Sequence, residues 1–164
     1  MSEIKFLPPD KSGLEEIIDL LEVYFHNLFD DFALYEHGTK RAVIESRLKR
    51  ACETTWGIYD EKELIGVVWL ENNLINESGL FSTELFTCFK KRAWGMKVTK
   101  ACHKFMTAVF KELQPKKVIV STFSNNKLPK KRLEMVGFKK IAEIPDETLV
   151  AGELTGIKIY ELTK

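Results

Sequence analysis

From Val98 to Leu113 the apolar residues Val98, Ala101, Cys102, Phe105, Met106, Val109, Phe110 and Leu113 recur at steps of three and four. That spacing gathers them on one stripe of an α-helix. The segments on either side have a different texture. Leu80 to Phe89 and Lys117 to Phe123 are short and bounded by turn signals, and the second is rich in Val and Ile, so both read as strands. A strand, a long helix and a strand in succession place the two strands side by side and parallel, with the helix covering one face. That unit restricts the chain to folds in which helices pack on a sheet.

The remaining segments fill in the order. Ile4 to Leu7 reads as an opening strand, ended by Pro8 and Pro9. Leu14, Ile17, Ile18, Leu21, Phe25, Leu28 and Phe29 predict one amphipathic helix from Ser12 to about Phe32, with Ser12 as N-cap and Glu15 closing a capping box. Gly38 breaks the chain, and Thr39 caps a second helix to about Cys52 with Ile44, Leu48 and Ala51 facing inward. Thr54 to Tyr59 and Leu64 to Leu70 form a hairpin about Asp60 to Glu63, while Asn72-Asn73 and Asn76 to Gly79 are turn signals. Asn126 to Val136 reads as a short helix, with Pro129 in its first turn and Gly137 at its C′ position. Lys140 to Ile144 and Gly156 to Leu162 are two final strands. At 164 residues without a linker or repeat, positions 1–164 are expected to form a single domain. Its class is α/β: a mixed, mostly antiparallel sheet with one parallel crossover and helices on both faces.

The net charge of +1 conceals an asymmetry. Residues 1–82 carry 8 basic and 16 acidic side chains, and residues 83–164 carry 17 and 8. Thr87 to Lys140 alone holds fifteen Lys or Arg and only Glu112 and Glu134 as acids. Such a segment suits an anionic ligand, although two complementary halves of one fold would show the same split. Cys52, Cys88 and Cys102 have no CxxC spacing and lie in apolar patterns, so they are expected as buried free thiols without a disulfide or metal role. Neither a signal segment nor a membrane span is visible, which predicts a soluble chain in a reducing, cytoplasmic compartment.

Two segments inside the basic region carry a pattern. Arg92-Ala93-Trp94-Gly95-Met96-Lys97 is an Arg-x-x-Gly turn opening the long helix. Asn126 stands eleven residues before Gly137, within Leu133-Glu134-Met135-Val136-Gly137-Phe138. In this order and spacing the chain resembles the GNAT superfamily of acyl-CoA-dependent N-acetyltransferases over nearly its whole length. The resemblance implies acetyl-CoA or CoA as cofactor. The amides of Arg92, Ala93, Trp94, Gly95, Met96 and Lys97 would cradle its pyrophosphate, as amides at a helix N-terminus can for any anion. Leu85 and Thr87 would offer backbone groups to the pantetheine arm where the fourth and fifth strands splay apart. Asn126 would lie beside the thiol end, and Lys127, Lys130, Lys131 and Arg132 would meet the 3′-phosphate or adenine. Three positions depart from the family pattern: Lys97 replaces a Gly or Ala, Pro129 replaces a small residue, and Leu133 stands where many members carry a tyrosine general acid.

The implied activity is acyl transfer to a small-molecule or peptide amine. No catalytic residue is assigned. Glu84 points to the face opposite Leu85 and Thr87, Glu71 ends its strand, His103 sits mid-helix, and His26, Tyr35, Glu36 and His37 fall where an acceptor would approach. A second reading keeps the fold as a structural or assembly protein, for instance in a tailed-bacteriophage virion. Nucleic-acid binding ranks last, because Phe105 and Phe110 belong to the apolar stripe. A homodimer or an assembly partner stays open, and no membrane partner is expected.

Overall fold

The computed structural model describes residues 3–93, 95–127 and 129–164. Seven strands form one sheet: β1 Ile4–Leu7, β2 Thr55–Asp60, β3 Glu63–Asn76, β4 Gly79–Phe89, β5 Lys117–Phe123, β6 Lys139–Val150 and β7 Glu153–Thr163, in the order β1-β2-β3-β4-β5-β7-β6. Every neighbouring pair is antiparallel except β4–β5, which is parallel. The helix predicted between them is α4, Met96–Glu112. The expected mixed sheet with one parallel crossover is therefore the observed one.

Alternation along the strands divides the core in two. On one face α1, Lys11–Val23, and α3, Lys40–Arg50, cover Val67, Trp69 and Cys88 with Ile17, Leu21, Ile44 and Leu48. Trp69 is fully buried and stacks on Phe86 at 5.1 Å between centroids. On the other face α4 and α5, Pro129–Val136, cover Ile58, Val68, Leu70, Leu85, Phe89 and Val118 with Val98, Met106, Val109 and Val136. Phe105 and Phe110 pack against this second core, as their place on the stripe requires.

Local chemistry decides several boundaries. Thr39 caps α3 as predicted, its hydroxyl accepting from Ala42 N–H at 3.1 Å. Gly137, at φ 107°, ends α5: its N–H donates to Glu134 at 3.1 Å and Phe138 N–H to Leu133 at 2.9 Å, the closure of a Schellman turn. The single helix expected from Ser12 to Phe32 is divided. The N-cap of α1 lies two residues early: Asp10, not Ser12, accepts from Gly13 N–H at 2.7 Å. After Tyr24 come a 3₁₀ turn, Phe25–Asn27, and a separate helix α2, Asp31–His37. Phe25 and Phe29 stay buried and in contact at 4.9 Å, so the apolar stripe outlives the helix that predicted it. The interruption follows from tertiary bonds. Asp30 caps α2 through Ala33 N–H and accepts from the Thr148 hydroxyl, while Asp31 accepts from the amides of Ala151 and Gly152 in the β6–β7 turn.

Other expectations shift similarly. Asn72-Asn73 is a bulge within β3 rather than a turn. Asn72 takes a left-handed φ of 54°, which asparagine tolerates, and its amide donates to Glu84 across the strands at 2.6 Å. The hairpin turn narrows to Glu61-Lys62, since Asp60 and Glu63 still pair. Helix α5 starts at Pro129, not Asn126. Strand β6 continues past Pro145, which an edge strand accommodates because its unpaired side needs no N–H donor. Opposite that irregularity lies Gly156, where a Cβ would meet the Ile144 carbonyl at 2.4 Å. Cys52 is exposed rather than buried, Cys102 is half-buried, and only Cys88 fits the expectation fully. None of the described helices is long and apolar enough to cross a membrane.

Candidate active site

The parallel ladder between β4 and β5 runs only from Ser82–Lys117 to Glu84–Ile119 among the described residues. Past that point β4 stays paired with β3 as far as Phe89–Gly66, and β5 with β7 as far as Phe123–Ile157. The sheet therefore opens between Leu85 and Val120. Lys90 N–H donates to the Ile65 carbonyl on β3 at 2.9 Å. Antiparallel alternation from there directs the backbone groups of Phe86 and Cys88 to β3 and those of Leu85, Thr87 and Phe89 into the opening.

The opening is a narrow slot of about 90 Å³ lined by Leu85 to Phe89, Val120 to Thr122, Asn126, Pro129, Arg132 and Leu133, with Asn27 and Leu28 at the end of the 3₁₀ turn. It is far smaller than the roughly 300–1,000 Å³ of a pocket closed round a compact ligand, and its shape suits an extended chain. A small apolar chamber beneath α4 shares Leu85, Thr87, Phe89, Arg132 and Leu133. On the opposite face a shallow recess shares Asn27, Leu28, Phe86, Ser121 and Thr122. The slot thus adjoins a cavity on each face of the sheet.

At its C-terminal end β4 leads into a 3₁₀ turn, Lys91–Ala93, and then α4. The Tyr24 hydroxyl accepts from Lys91 N–H at 3.1 Å and ties the turn to the end of α1. Gly95 is the N-cap of α4 and supplies no side chain to the first-turn amides of Met96, Lys97 and Val98. Its backbone is extended, at φ 175° and ψ 178°, so the conformation itself does not demand glycine. A Cβ there would meet nothing within 4 Å. What glycine leaves is open space at the N-cap, at the positive end of a seventeen-residue helix.

Cations at a helix N-terminus are unfavourable without an anion. Here the β2–β3 hairpin provides one. Lys97 Nζ lies 2.6 Å from Asp60 Oδ1, and Glu63 accepts from Arg92 and from Lys90 at 3.3 Å. The hydrogen bond from Lys90 leads the causes that hold the Glu63 carboxyl below the ordinary carboxylate range, with Arg92 adding to it. Lys97 thus neither blocks the turn nor waits beside it; it is engaged by the hairpin.

The structure brings Leu85, Thr87 and Asn126 to the slot, and Arg92, Ala93, Gly95, Met96 and Lys97 to its end. Trp94 lies outside the described residues. Leu133 lines the slot, so no hydroxyl occupies that position. The lining contains no carboxylate, histidine or tyrosine among the described residues. Glu71 is bound by Arg47 at 2.7 Å and by the Trp69 indole N–H at 3.3 Å. Glu84 is held by the Asn72 amide rather than by a cation. His103 is exposed on α4, and His26 Nδ1 is buried 3.9 Å from Asp31, too far for a hydrogen bond. Burial pushes the Cys88 thiol up to about 12 and Cys102 to about 11, so both are inert. No cluster of metal-ligating side chains occurs among the described residues. Sequence reasoning missed the roles of Tyr24, Asp60 and Glu63. Asp60 and Glu63 were visible only as turn residues, and Tyr24 only as one more residue of a helix.

The chain is similar in structure to N-acetyltransferases over nearly its whole length. A spermidine N-acetyltransferase from Vibrio cholerae, solved with CoA and spermine, matches with a TM-score of 0.77 at 15% identity, over 98% of this chain and 95% of that one. A microcin self-immunity acetyltransferase, solved with acetyl-CoA and AMP, matches at 0.71 and 17%, over 99% and 93%. An acetyltransferase of the GNAT family from Bacillus anthracis matches at 0.70 and 11%, over 99% and 96%. No family model and no curated protein sequence matches the chain. At such identities the likeness is one of architecture, and it agrees with the strand order, the single parallel crossover and the slot between β4 and β5. The fold of this chain is that of the GNAT acetyltransferases.

Proposed function

We propose that the protein transfers an acyl group from acetyl-CoA or a related acyl-CoA to an amine. The observation that carries this reading is the parting of β4 from β5 after Glu84–Ile119, in line with the N-terminus of α4, where the N-cap is a glycine. One feature offers backbone hydrogen bonds to an extended amide-bearing arm, and the other offers amides to its phosphates. The binding of CoA or acetyl-CoA by two of the structurally similar enzymes supports the same assignment.

When bound, acyl-CoA supplies an activated thioester. The chain's own residues then have three tasks. Backbone of Leu85 and Thr87 holds the arm along β4. The amides of Gly95, Met96, Lys97 and Val98 hold the phosphates. The recess lined by Asn27, Leu28, Phe86, Ser121, Thr122, Phe123 and Ile157 admits an amine from the other face. With no carboxylate, histidine or tyrosine among the described residues of the lining, the amine proton leaves through water, and only an amine that enters neutral reacts well. Among the described residues the recess has no acid to hold a polycation, which favours a small or terminal amine over a polyamine.

The same absence supports a second reading, in which the site binds acyl-CoA while the protein serves as an assembly component. A panel of amino acids, polyamines and peptide N-termini, assayed for CoA thiol release from acetyl-CoA, separates the two. Transfer to any member establishes the enzyme. Saturable acetyl-CoA binding with no acceptor-dependent thiol release favours the second reading.

A further inference from the structure

The two cavities that flank the slot differ in chemistry. The recess on one face has the polar side chains of Asn27, Ser121 and Thr122 in its lining. The chamber beneath α4 is apolar. Among its described residues only Thr87 brings a hydroxyl and only Arg132 a charge, and that guanidinium lies 4.9 Å from the Phe89 ring centroid. The chamber also runs in a different direction from the slot. Its floor is Leu85, Val68, Ile58 and Phe6, one residue from each of β4, β3, β2 and β1, and its roof is Cys102, Phe105 and Met106 of α4. It therefore branches off crosswise to the strands, and an arm lying along β4 passes it without filling it. Leu85 and Leu133 are walls of both cavities, and Leu85 is the first residue beyond the last β4–β5 pair, at the closed end of the slot. Cys102, Phe105 and Leu133 are only half-buried, so the stripe of α4 is incompletely covered here. The chamber measures about 40 Å³. An apolar cavity of this kind stays dry, and a water's share of liquid volume is about 30 Å³. A methylene is of similar size, so the space suits one or two of them.

We propose that the chamber takes the alkyl end of the donor's acyl group, so that the preferred donor is propionyl- or butyryl-CoA rather than acetyl-CoA. The inference rests on the acyl-CoA reading above and adds the acyl group to it. The thioester carbonyl stays at the closed end of the slot, within reach of an amine in the recess, and the added methylenes turn beneath α4. Each methylene moved from water into apolar surroundings is worth close to four-fold in affinity. A much longer chain must displace the packed roof of the chamber, which costs more than it gains.

Calorimetric titration with CoA and with acetyl-, propionyl-, butyryl- and octanoyl-CoA tests this without an acceptor. For the parent, affinity is expected to rise about four-fold from acetyl to propionyl, to hold or rise again at butyryl, and to fall at octanoyl. Cys102→Leu places a larger apolar side chain in the chamber from its roof and is expected to flatten the series; should it fail to fold, the smaller change Cys102→Val carries the comparison. Equal affinity of the parent for the three short acyl-CoAs overturns the inference while leaving the acyl-CoA reading intact. A rise with chain length that survives in the Cys102 variant overturns it too, because the chain then lies outside the chamber. So does tightest binding of octanoyl-CoA, which the chamber cannot hold. A parent that binds none of the probes, CoA included, removes the acyl-CoA reading itself and this inference with it.

Discussion

Gly95→Asp should stabilise the protein and abolish donor binding, two effects of opposite sign from one side chain. Gly95 is an N-cap in extended backbone, and a Cβ placed there meets nothing within 4 Å. Aspartate therefore fits without strain. Its carboxylate can accept from the amides of Lys97 or Val98, although glycine is already tolerated at a cap and the gain over it is only a few tenths of a kcal/mol. A negative charge at the positive end of α4 adds about 0.3–1 kcal/mol. The sum is roughly 1 kcal/mol, or a rise of about 2–4 °C in the melting midpoint for a chain of this size. The same carboxylate occupies the space proposed for phosphate. Two like charges about 4 Å apart repel by ~4 kcal/mol at an effective dielectric constant of 20, close to three orders of magnitude in affinity. Scanning calorimetry with and without acetyl-CoA reads both effects. For the parent, ligand at ~100 times its Kd adds about 2.7 kcal/mol. The variant should start higher and show no ligand-dependent rise. A variant that melts several degrees below the parent, or that keeps the ligand shift, refutes the reasoning.

Asp60→Asn releases Lys97 from its 2.6 Å partner and should tighten acetyl-CoA binding by about two- to five-fold, the worth of a partly exposed ion pair; weaker binding on titration contradicts the hairpin's competing role. A chromogenic disulfide reagent at pH 8 should modify exposed Cys52 fastest, half-buried Cys102 more slowly and buried Cys88 only after unfolding; three equal rates would contradict this order of exposure. Because burial raises the Cys88 pKa from 9.0 to about 12, its contribution to stability is intact below pH 9 and is lost as pH rises toward 12. Cys88→Ala should therefore lose less stability than the parent between pH 9 and 11 in urea titrations, and an unchanged pH slope counts against this.

Features governed by neighbours in sequence were legible from sequence. The stripe of α4, the Thr39 cap, the Gly137 turn and the order of strands needed only local periodicity and cap chemistry. The break after Tyr24 was not legible. It depends on Asp30 meeting Thr148, and on Asp31 meeting Ala151 and Gly152, more than a hundred residues away. The strand expected to stop at Ile144 runs on to Val150, and its place at the sheet edge explains how β6 continues past Pro145. The positions of the slot and turn residues followed from the motifs. The pairing of Lys97 and Arg92 did not, since Asp60 and Glu63 lie 37 and 29 residues from them in the chain. Arg132 was grouped with Lys127, Lys130 and Lys131 toward a 3′-phosphate or adenine, and its half-buried place beside Phe89 and α4 could not be read from its own helix.

The central claim is that an acyl-CoA lies in the slot between β4 and β5 with its phosphates at the start of α4. Backbone amide resonances of the ¹⁵N-labelled protein, followed during titration with acetyl-CoA, test it most directly. The account predicts saturable shifts concentrated at Leu85, Thr87, Gly95, Met96, Lys97, Val98 and Asn126. Saturable shifts confined to residues remote from the slot, or no shifts at millimolar acetyl-CoA, would contradict it.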